Sequence, residues 1–393
     1  MTYSKRITAV CLTLLALCLC TAWSMPARAE ATGKLTAYSD LGAITKHGNL
    51  CLVTDRKIVL QDLEAAGIEP GDTVRVSFLD QTLELPVGFN FSEASSGARL
   101  LRIKEDAVEL ATNMGEFASE TIADKTVAAD GTVTWRYKEG IEGPVAFTVE
   151  LIQKGEEHRE DDSVLMLYTN VRSDYPHLSD AAFANFRAVT VTGIGEGTLY
   201  RTSSPINPKI GRNTYADEAL KNAGVKTVMN LVDIRSAAEG YEGYGDSYYA
   251  TTEYVALGMG MSFGTEEFNG KLAEGLRFFA SHEGPYAVHC LEGKDRTGVV
   301  VALMECFMGA SFDEIKADYM VTFYNYYGVA PGDEAYDEIA ENNIVVTLKK
   351  LLETDDLGGA DLVRAAEDYF REIGLKDDEL ESLRANLGKS YHA

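Results

Sequence analysis

The sequence is short of the residues that most often staple an exported protein or hold a metal. Six cysteines and six histidines are spread over 393 residues. Cys11, Cys18 and Cys20 sit in the N-terminal apolar run, so only Cys51, Cys290 and Cys306 remain beyond it. An even set would point to disulfides; three widely spaced thiols do not, and leave room for a thiol kept for chemistry. The histidines form no ligand cluster. His158 beside Asp161 and Asp162 lies in an almost wholly charged stretch and reads as a solvated loop, so no metal is expected. Basic residues are in deficit, 36 Lys and Arg against 61 Asp and Glu, a formal charge of −25. That balance excludes a non-specific nucleic-acid binder, which needs a basic footprint. It leaves open an anionic substrate held by a few local donors. Beyond the N-terminus no apolar run is long enough to span a bilayer.

What is present fits a folded, two-domain chain, since 46% of residues are hydrophobic and 25% are charged, well mixed. Lys5 and Arg6 precede an apolar run from Ile7 to Trp23, and Ala27-Arg28-Ala29 supplies small residues before a cleavage point. This is the layout of a secretory signal cut after Ala29. The mature chain is therefore expected outside the cytoplasm, secreted or at the cell surface or periplasm, with no stable membrane insertion after cleavage. An uncleaved anchor is the competing reading, and the run is at the short edge for a span.

Residues 30–180 read as a smaller β-rich domain of unknown role. Strands are expected at 50–53, 73–79, 82–86, 132–137, 145–152 and 164–171, broken by Gly, Asp and Asn turn signals. Residues 181–393 alternate strands and helices: a helix at 216–223, a strand at 227–232, a helix at 268–281, a strand at 286–289 and a helix from about 297 to 308. Ser311 with Glu314 opens the next helix as a capping box, and 335–388 is helical apart from Gly breaks. The expected fold class is α/β, a central mostly parallel sheet with helices on both faces.

The segment His289-Cys290-Leu291-Glu292-Gly293-Lys294-Asp295-Arg296-Thr297-Gly298 falls between that last strand and helix. A loop closing onto a helix N-terminus points several amide groups into one bowl, an anion site. Gly293 permits the tight path, and Arg296 brings a planar fork of donors suited to two phosphate oxygens. The same surroundings favour a thiolate at Cys290. An ordinary buried cysteine at the end of a strand is the bland alternative.

This Cys-x5-Arg arrangement resembles the phosphate-binding loop of the protein tyrosine phosphatase superfamily. More narrowly, His-Cys-x-x-Gly-Lys-Asp-Arg-Thr-Gly is similar to the loop of the bacterial tyrosine/lipid phosphatases. Asn185-Phe186-Arg187, Leu199 to Ser204, Asp233-Ile234-Arg235-Ser236, Asp318-Tyr319 and Gly374 to Arg384 stand in family-like places, so the likeness covers about 185–393. It implies a cysteine-phosphatase fold and phosphoric monoester hydrolysis without a cofactor. In the β-rich half, His47 to Thr54 and Val108 to Met114 resemble the barrel half of SAM-dependent halide/hydroxide adenosyltransferase-like proteins, a likeness that brings no catalytic residue.

On this reading Cys290 attacks phosphorus and forms a cysteinyl-phosphate. Arg296 and the amides of Leu291, Glu292, Gly293, Lys294 and Thr297 hold the phosphoryl oxygens, and the Thr297 hydroxyl helps the sulfur leave. His289 fixes the loop. The resemblance implies two candidates for general acid, Asp295 and Asp233, with Asp295 preferred and Asp233 orienting. Arg235 is a supporting residue, and the bland reading of Asp233 is an ion pair with Arg235 or Arg201. No Trp-Pro-Asp loop exists, the tryptophans being Trp23 and Trp135. Lys294 adds a second cation, whereas Glu292 at the rim is expected to repel highly anionic ligands. The aromatic run Tyr319 to Tyr327 reads as core more readily than as a lid. The expected substrate is a phosphotyrosine protein, with phosphoserine/threonine or a phosphorylated lipid or inositol also open. A cysteine-type phytase and a non-catalytic phospho-binding module are the alternatives.

Overall fold

The structure, a computed structural model, describes residues 33–57, 59–89, 91, 94–104, 107–128, 132–155 and 168–391. The expected export signal, the loop of His158, Asp161 and Asp162, and residues 164–167 of the strand expected at 164–171 lie outside them; residues 168–171 are described and do not form a strand.

Alternation builds the first sheet. In Thr73–Phe78 the side chains of Val74, Val76 and Phe78 turn inward and those between them outward. The strands are β1 (Lys34–Ser39), β2 (Leu50–Leu52), β3 (Thr73–Phe78), β4 (Gln81–Gly88), β5 (Arg99–Ile103), β6 (Val108–Thr112), β7 (Ala123–Val127), β8 (Val133–Tyr137) and β9 (Val145–Gln153). Seven of them form one sheet in the order β1-β9-β3-β4-β5-β6-β2, and β7 and β8 pair as a separate ribbon. Its core centres on Phe78, whose ring lies 5.0 Å from Phe147 and 6.2 Å from Phe117.

The second sheet carries the motif. Its strands are β10 (Arg187–Ala188), β11 (Leu199–Thr202), β12 (Thr227–Asn230), β13 (Glu253–Ala256) and β14 (Tyr286–His289), in the order β10-β11-β14-β12-β13. All neighbours run parallel except β10 and β11. Period-two alternation divides the side chains between two faces: Val228 and Ala287 join one apolar cluster with Leu220, while Met229, Tyr286 and Val288 join the larger one. The larger cluster is built with the helices Glu266–Ser281, Asp295–Met308, Phe312–Tyr327, Leu362–Glu372 and Asp377–Gly388. Helices thus cover both faces, the expected α/β class. Helix Asp295–Met308 is buried almost all round, as a central helix must be. Ser311 and Glu314 form the expected capping box. The C-terminal stretch is helical with a π segment at Glu341–Val345, and it breaks between Leu351 and Leu362, where Gly358 and Gly359 lie, and after Glu372, where Gly374 lies.

That π segment receives the β-rich half. The Ser96 amide donates to the Asn342 carbonyl at 2.8 Å, Ser95 Oγ to Asn342 Oδ1 at 3.0 Å, and Thr347 Oγ1 to Ser96 Oγ at 2.9 Å. Met114, just after β6, is buried in the larger cluster of the other half. No helix among the described residues is long and apolar enough to cross a membrane.

Phe307 anchors the helical layer. It is fully buried, its ring lies 5.3 Å from that of Phe370 at a tilt of 48°, and the Arg384 guanidinium lies 4.2 Å above it. Phe307→Ala is expected to destabilise the fold by about 3–5 kcal/mol, read from denaturant unfolding. A loss under about 1 kcal/mol would show that this layer is not set by that ring.

Candidate active site

The parallel register brings Thr202, His289 and Asn230 side by side at the carboxyl edge of the sheet. The segments leaving this edge therefore meet in one crevice, where open α/β sheets place their ligands. Cys290 follows β14, Ser203 and Ser204 follow β11, and Asp233 follows β12.

The loop from Cys290 to Arg296 is turned inside out by its neighbours. The Leu291 carbonyl accepts from the Ser204 amide at 3.0 Å. The Glu292 carbonyl accepts from Asn185 Nδ2 at 3.1 Å and from the Tyr326 hydroxyl at 2.9 Å. The Gly293 carbonyl accepts from Asn185 Nδ2 at 3.2 Å and from the Arg201 guanidinium at 3.1 Å. With these carbonyls drawn outward, the amides of Leu291 to Lys294 find no acceptor among the described residues. Helix Asp295–Met308 adds its own N-terminal amides. Gly293 holds φ +71, and a Cβ there would lie 2.3 Å from the Thr202 carbonyl oxygen.

Buried charge locks the donors. Asp318 accepts from Arg187 Nε at 2.9 Å and from Arg201 at 2.6 Å. Burial opposes its charge, yet the two guanidiniums outweigh burial and keep Asp318 below the ordinary carboxylate range. Asn185, at φ +55, also accepts from Arg187 at 2.9 Å, so one buried amide ties strand, loop and helix together.

Cys290 is buried and lines a cavity of about 710 Å³ together with Leu291, Glu292, Lys294, Asp295 and Arg296. Arg296 donates to the Met259 carbonyl at 2.9 Å, while its buried Nε has no partner among the described residues. His289 is fully buried. Its Nδ1 lies 3.2 Å from the Cys290 carbonyl, and burial lowers it to about 4, so the ring is neutral near pH 7. The buried Thr297 hydroxyl has no partner either, and makes no bond to the sulfur here.

The two acid candidates differ in setting. Asp295 lines the cavity, 3.7 Å from Lys294. Withdrawal from solvent raises its carboxyl above the ordinary range; Glu292 adds to the rise, and Lys294 and Arg296 oppose it. Asp233 is buried with both oxygens engaged, one by Asn230 Nδ2 at 3.1 Å and one by the Tyr241 hydroxyl at 2.8 Å. It is not among the lining residues and pairs with neither Arg235 nor Arg201. Arg235 points elsewhere, to Glu239 at 3.3 Å and the Tyr254 carbonyl at 2.9 Å, so it supports the pocket wall only at a distance.

Glu292 is less repulsive than its rim position implied. Its carboxylate accepts from the Tyr168 hydroxyl at 2.7 Å and lies 3.8 Å from Lys294. Of the aromatic run, Tyr319, Phe323 and Tyr326 are buried, as core residues should be, while Phe323 and Tyr327 also line the cavity. The opposite wall was not foreseen: Lys46, His47, Asn49, Phe91 and Met114 come from the β-rich half. No spacing motif marks them; only the docking of that half brings them here. Among the described residues no group of three His, Cys, Asp or Glu could hold a metal ion.

Residues 184–389, just over half of the chain, match the model of the tyrosine phosphatase family. Among solved structures the chain is similar to TpbA from P. aeruginosa in complex with pTyr, at 18% identity over 49% of this chain and 93% of that one, TM-score 0.30. It is also similar to the core catalytic domain of the PP-IP phosphatase SIW14 from S. cerevisiae, at 21% over 42% and 91%, TM-score 0.26. A third similarity is to an uncharacterized conserved protein from Thermotoga maritima, at 13% over 30% of this chain, TM-score 0.21; there the chain spans 36% of the other's length. Comparison with curated proteins returns no match.

Gly293→Ala forces the loop off the Thr202 carbonyl and displaces the bowl. Turnover of an aryl phosphate is expected to fall about 10²-fold, as for other small misplacements of a reacting group. Activity within twofold of the parent would show that the loop tolerates another path.

Proposed function

We propose, from the premise that the chain belongs to the tyrosine phosphatase family and hydrolyses phosphoric monoesters, that its substrate is phosphotyrosine and its intermediate a cysteinyl-phosphate. The observation that carries this is the inward-facing set of amides around Cys290, with the unpartnered Nε of Arg296 beside it. A phosphoryl group bound there has three oxygens facing donors and its phosphorus facing sulfur. The apolar lining residues Phe91, Met114, Met261 and Phe323 favour an aryl leaving group.

In the first displacement the Cys290 thiolate forms an S–P bond as the ester O–P bond breaks. Asp295 gives its proton to the leaving phenolate oxygen, a role that its cavity position and raised carboxyl support. Arg296 and the amides gain strength as charge builds on the equatorial oxygens. In the second displacement water attacks phosphorus, its proton passes to Asp295, and the S–P bond breaks to release inorganic phosphate. Asp233 acts through its surroundings, holding Tyr241 and Asn230 at the edge of the sheet. The Lys5 to Ala29 pattern supports an exported enzyme acting outside the cytoplasm.

Cys290→Ser is expected to lower turnover of a phosphotyrosine peptide by about 10⁴-fold or more while binding persists. Acid quenching of the parent enzyme should trap phosphate on Cys290 by mass spectrometry. Substantial metal-free turnover by the serine variant rules out the nucleophile.

Asp295 must be protonated to donate, so kcat should fall as pH rises through its raised pKa. Asp295→Asn should lower kcat by about 10²- to 10⁴-fold and abolish that alkaline limb. A limb that survives in Asp295→Asn but disappears in Asp233→Asn transfers the role to Asp233.

A further inference from the structure

The cavity's cations are not equally engaged. Arg102 and Lys104, from β5 and the residue after it, approach the buried Glu109 to 3.5 and 3.0 Å. Lys294 is flanked by Glu292 and Asp295 at 3.8 and 3.7 Å. Arg296, Lys46 and Lys209 have no carboxylate within 4 Å among the described residues, although all three line the same cavity. Arg296 faces the phosphoryl position. The two lysines are exposed, one from each half of the chain, and so stand at the mouth.

Both are presented on closed turns. Thr45 and Asn49 bracket Lys46: the Thr45 amide donates to the Asn49 carbonyl at 2.9 Å and the Asn49 amide to Thr45 Oγ1 at 3.1 Å. Within that turn Gly48 holds φ +77, and a Cβ there would come within 2.6 Å of Glu116 Cβ. Lys209 sits in a short helical turn whose amide is capped by Asn207 Oδ1 at 3.0 Å. Asn207 Nδ2 in turn donates to the Tyr241 hydroxyl at 2.6 Å, the same hydroxyl that reaches Asp233. Partial burial, with Lys209 and Arg296 as like-charged neighbours, holds the Lys46 ammonium below its ordinary range. An anion between the lysines relieves that repulsion.

We propose that the β-rich half is a specificity element of the catalytic site: Lys46 and Lys209, facing each other across the junction of the two halves, form a cationic rim that selects phosphotyrosine flanked by acidic side chains. This rests on the phosphotyrosine reading above and adds to it the chemistry of the neighbouring residues. The composition of the cavity lining carries the choice of partner. The lining combines the buried Cys290 and the donors of its loop with the aromatic and methionine side chains of Phe91, Met114, Met261 and Phe323, and with the exposed ammonium groups of Lys46 and Lys209. A phosphotyrosine ring packs on the aromatic and methionine side chains, and carboxylates beside it in the chain reach the rim. A phosphorylated polyol sets hydroxyls against those apolar side chains. On a chain of formal charge −25 the rim is a local exception, so it attracts acidic partners only at close range.

The test compares the full chain with the double variant Lys46→Gln, Lys209→Gln on two phosphotyrosine peptides of equal length. One carries Asp on both sides of the phosphotyrosine and the other Asn, and a soluble inositol bisphosphate is run beside them. The unsubstituted chain should favour the Asp peptide about three- to tenfold in kcat/KM, as two exposed ion pairs allow. That preference should shrink with added salt and fall below twofold in the double variant. A preference below twofold in the unsubstituted chain, or one that persists in the double variant, overturns the rim. So does a larger loss for the inositol bisphosphate than for the Asp peptide, which assigns the lysines to a second phosphate instead. Binding of both peptides to Cys290→Ser gives the same ratio without turnover. If the ratio is present there but the unsubstituted chain hydrolyses neither peptide, the rim stands and the phosphotyrosine hydrolysis reading fails.

Discussion

Three carbonyl groups pulled the wrong way are what the site depends on. A peptide plane is rigid, so drawing the carbonyls of Leu291, Glu292 and Gly293 toward Ser204, Asn185, Tyr326 and Arg201 turns the amides to the other side. A buried donor left unmade costs on the order of 1–3 kcal/mol, and several converge here. The loop tolerates that arrangement because each outward bond is itself held. On the proposed phosphoryl transfer, the cost is recovered when an anion with three equatorial oxygens enters, and recovered most when those oxygens carry the charge of a transition state. Preorganisation, more than any single contact, is the catalytic asset.

The holding layer explains why a fold of this size surrounds a seven-residue loop. Helix Phe312–Tyr327 presents Asp318, Thr322 and Tyr326 at four-residue spacing, hence on one face. Asp318 fixes Arg187 and Arg201, Thr322 meets Asn185, and Tyr326 meets the loop directly. The helix acts as a ruler laid beside the loop, and Arg187 and Arg201 tie that ruler to β10 and β11. The polar groups of this layer share partners, Asn185 Nδ2 meeting Glu292, Gly293 and Thr322 and Arg187 meeting Asp318, Asn185 and Thr322, so the layer holds as a network rather than as separate pairs.

Much of this was legible because the local signals agreed with the tertiary ones. β14 and the helix after the loop are visible as a short apolar run, a glycine-bearing loop and a capped sequel, and Ser311 with Glu314 marks its boundary as expected. Cys290 and Arg296 could be paired by spacing alone because a loop between strand and helix has few conformations. The β-rich half was harder. β6 is buried at every position, Glu109 included, so it shows no alternation to read. β5 begins with an arginine and carries another at its fourth position, and looks like a surface loop until Glu109 is placed beside it. Tyr326 reads as core, correctly, but its hydroxyl bond to the Glu292 carbonyl has no sequence signal. Arg235 went the other way: it stands in a family-like place, yet its partners are Glu239 and Tyr254, because the helix Arg235–Glu239 turns it away from the crevice.

Charge shows why the halves must be read together. Taken alone, the catalytic half offers its cavity Lys294, Arg296 and Lys209 against Glu292 and Asp295, close to balance. Glu109 brings one carboxylate from the other half, and it is already flanked by Arg102 and Lys104. The net addition from the β-rich wall is therefore positive, on a chain that is elsewhere strongly acidic. An acidic surface keeps anions at a distance, and a screened surface field fades within about 8–10 Å at physiological salt. Inside the cavity the walls exclude that screening, so a few cations there outweigh many carboxylates outside. The phosphate bowl belongs to the second half alone, whereas the positive wall facing it is a property of the joined molecule, present where the β-rich half lines the same cavity.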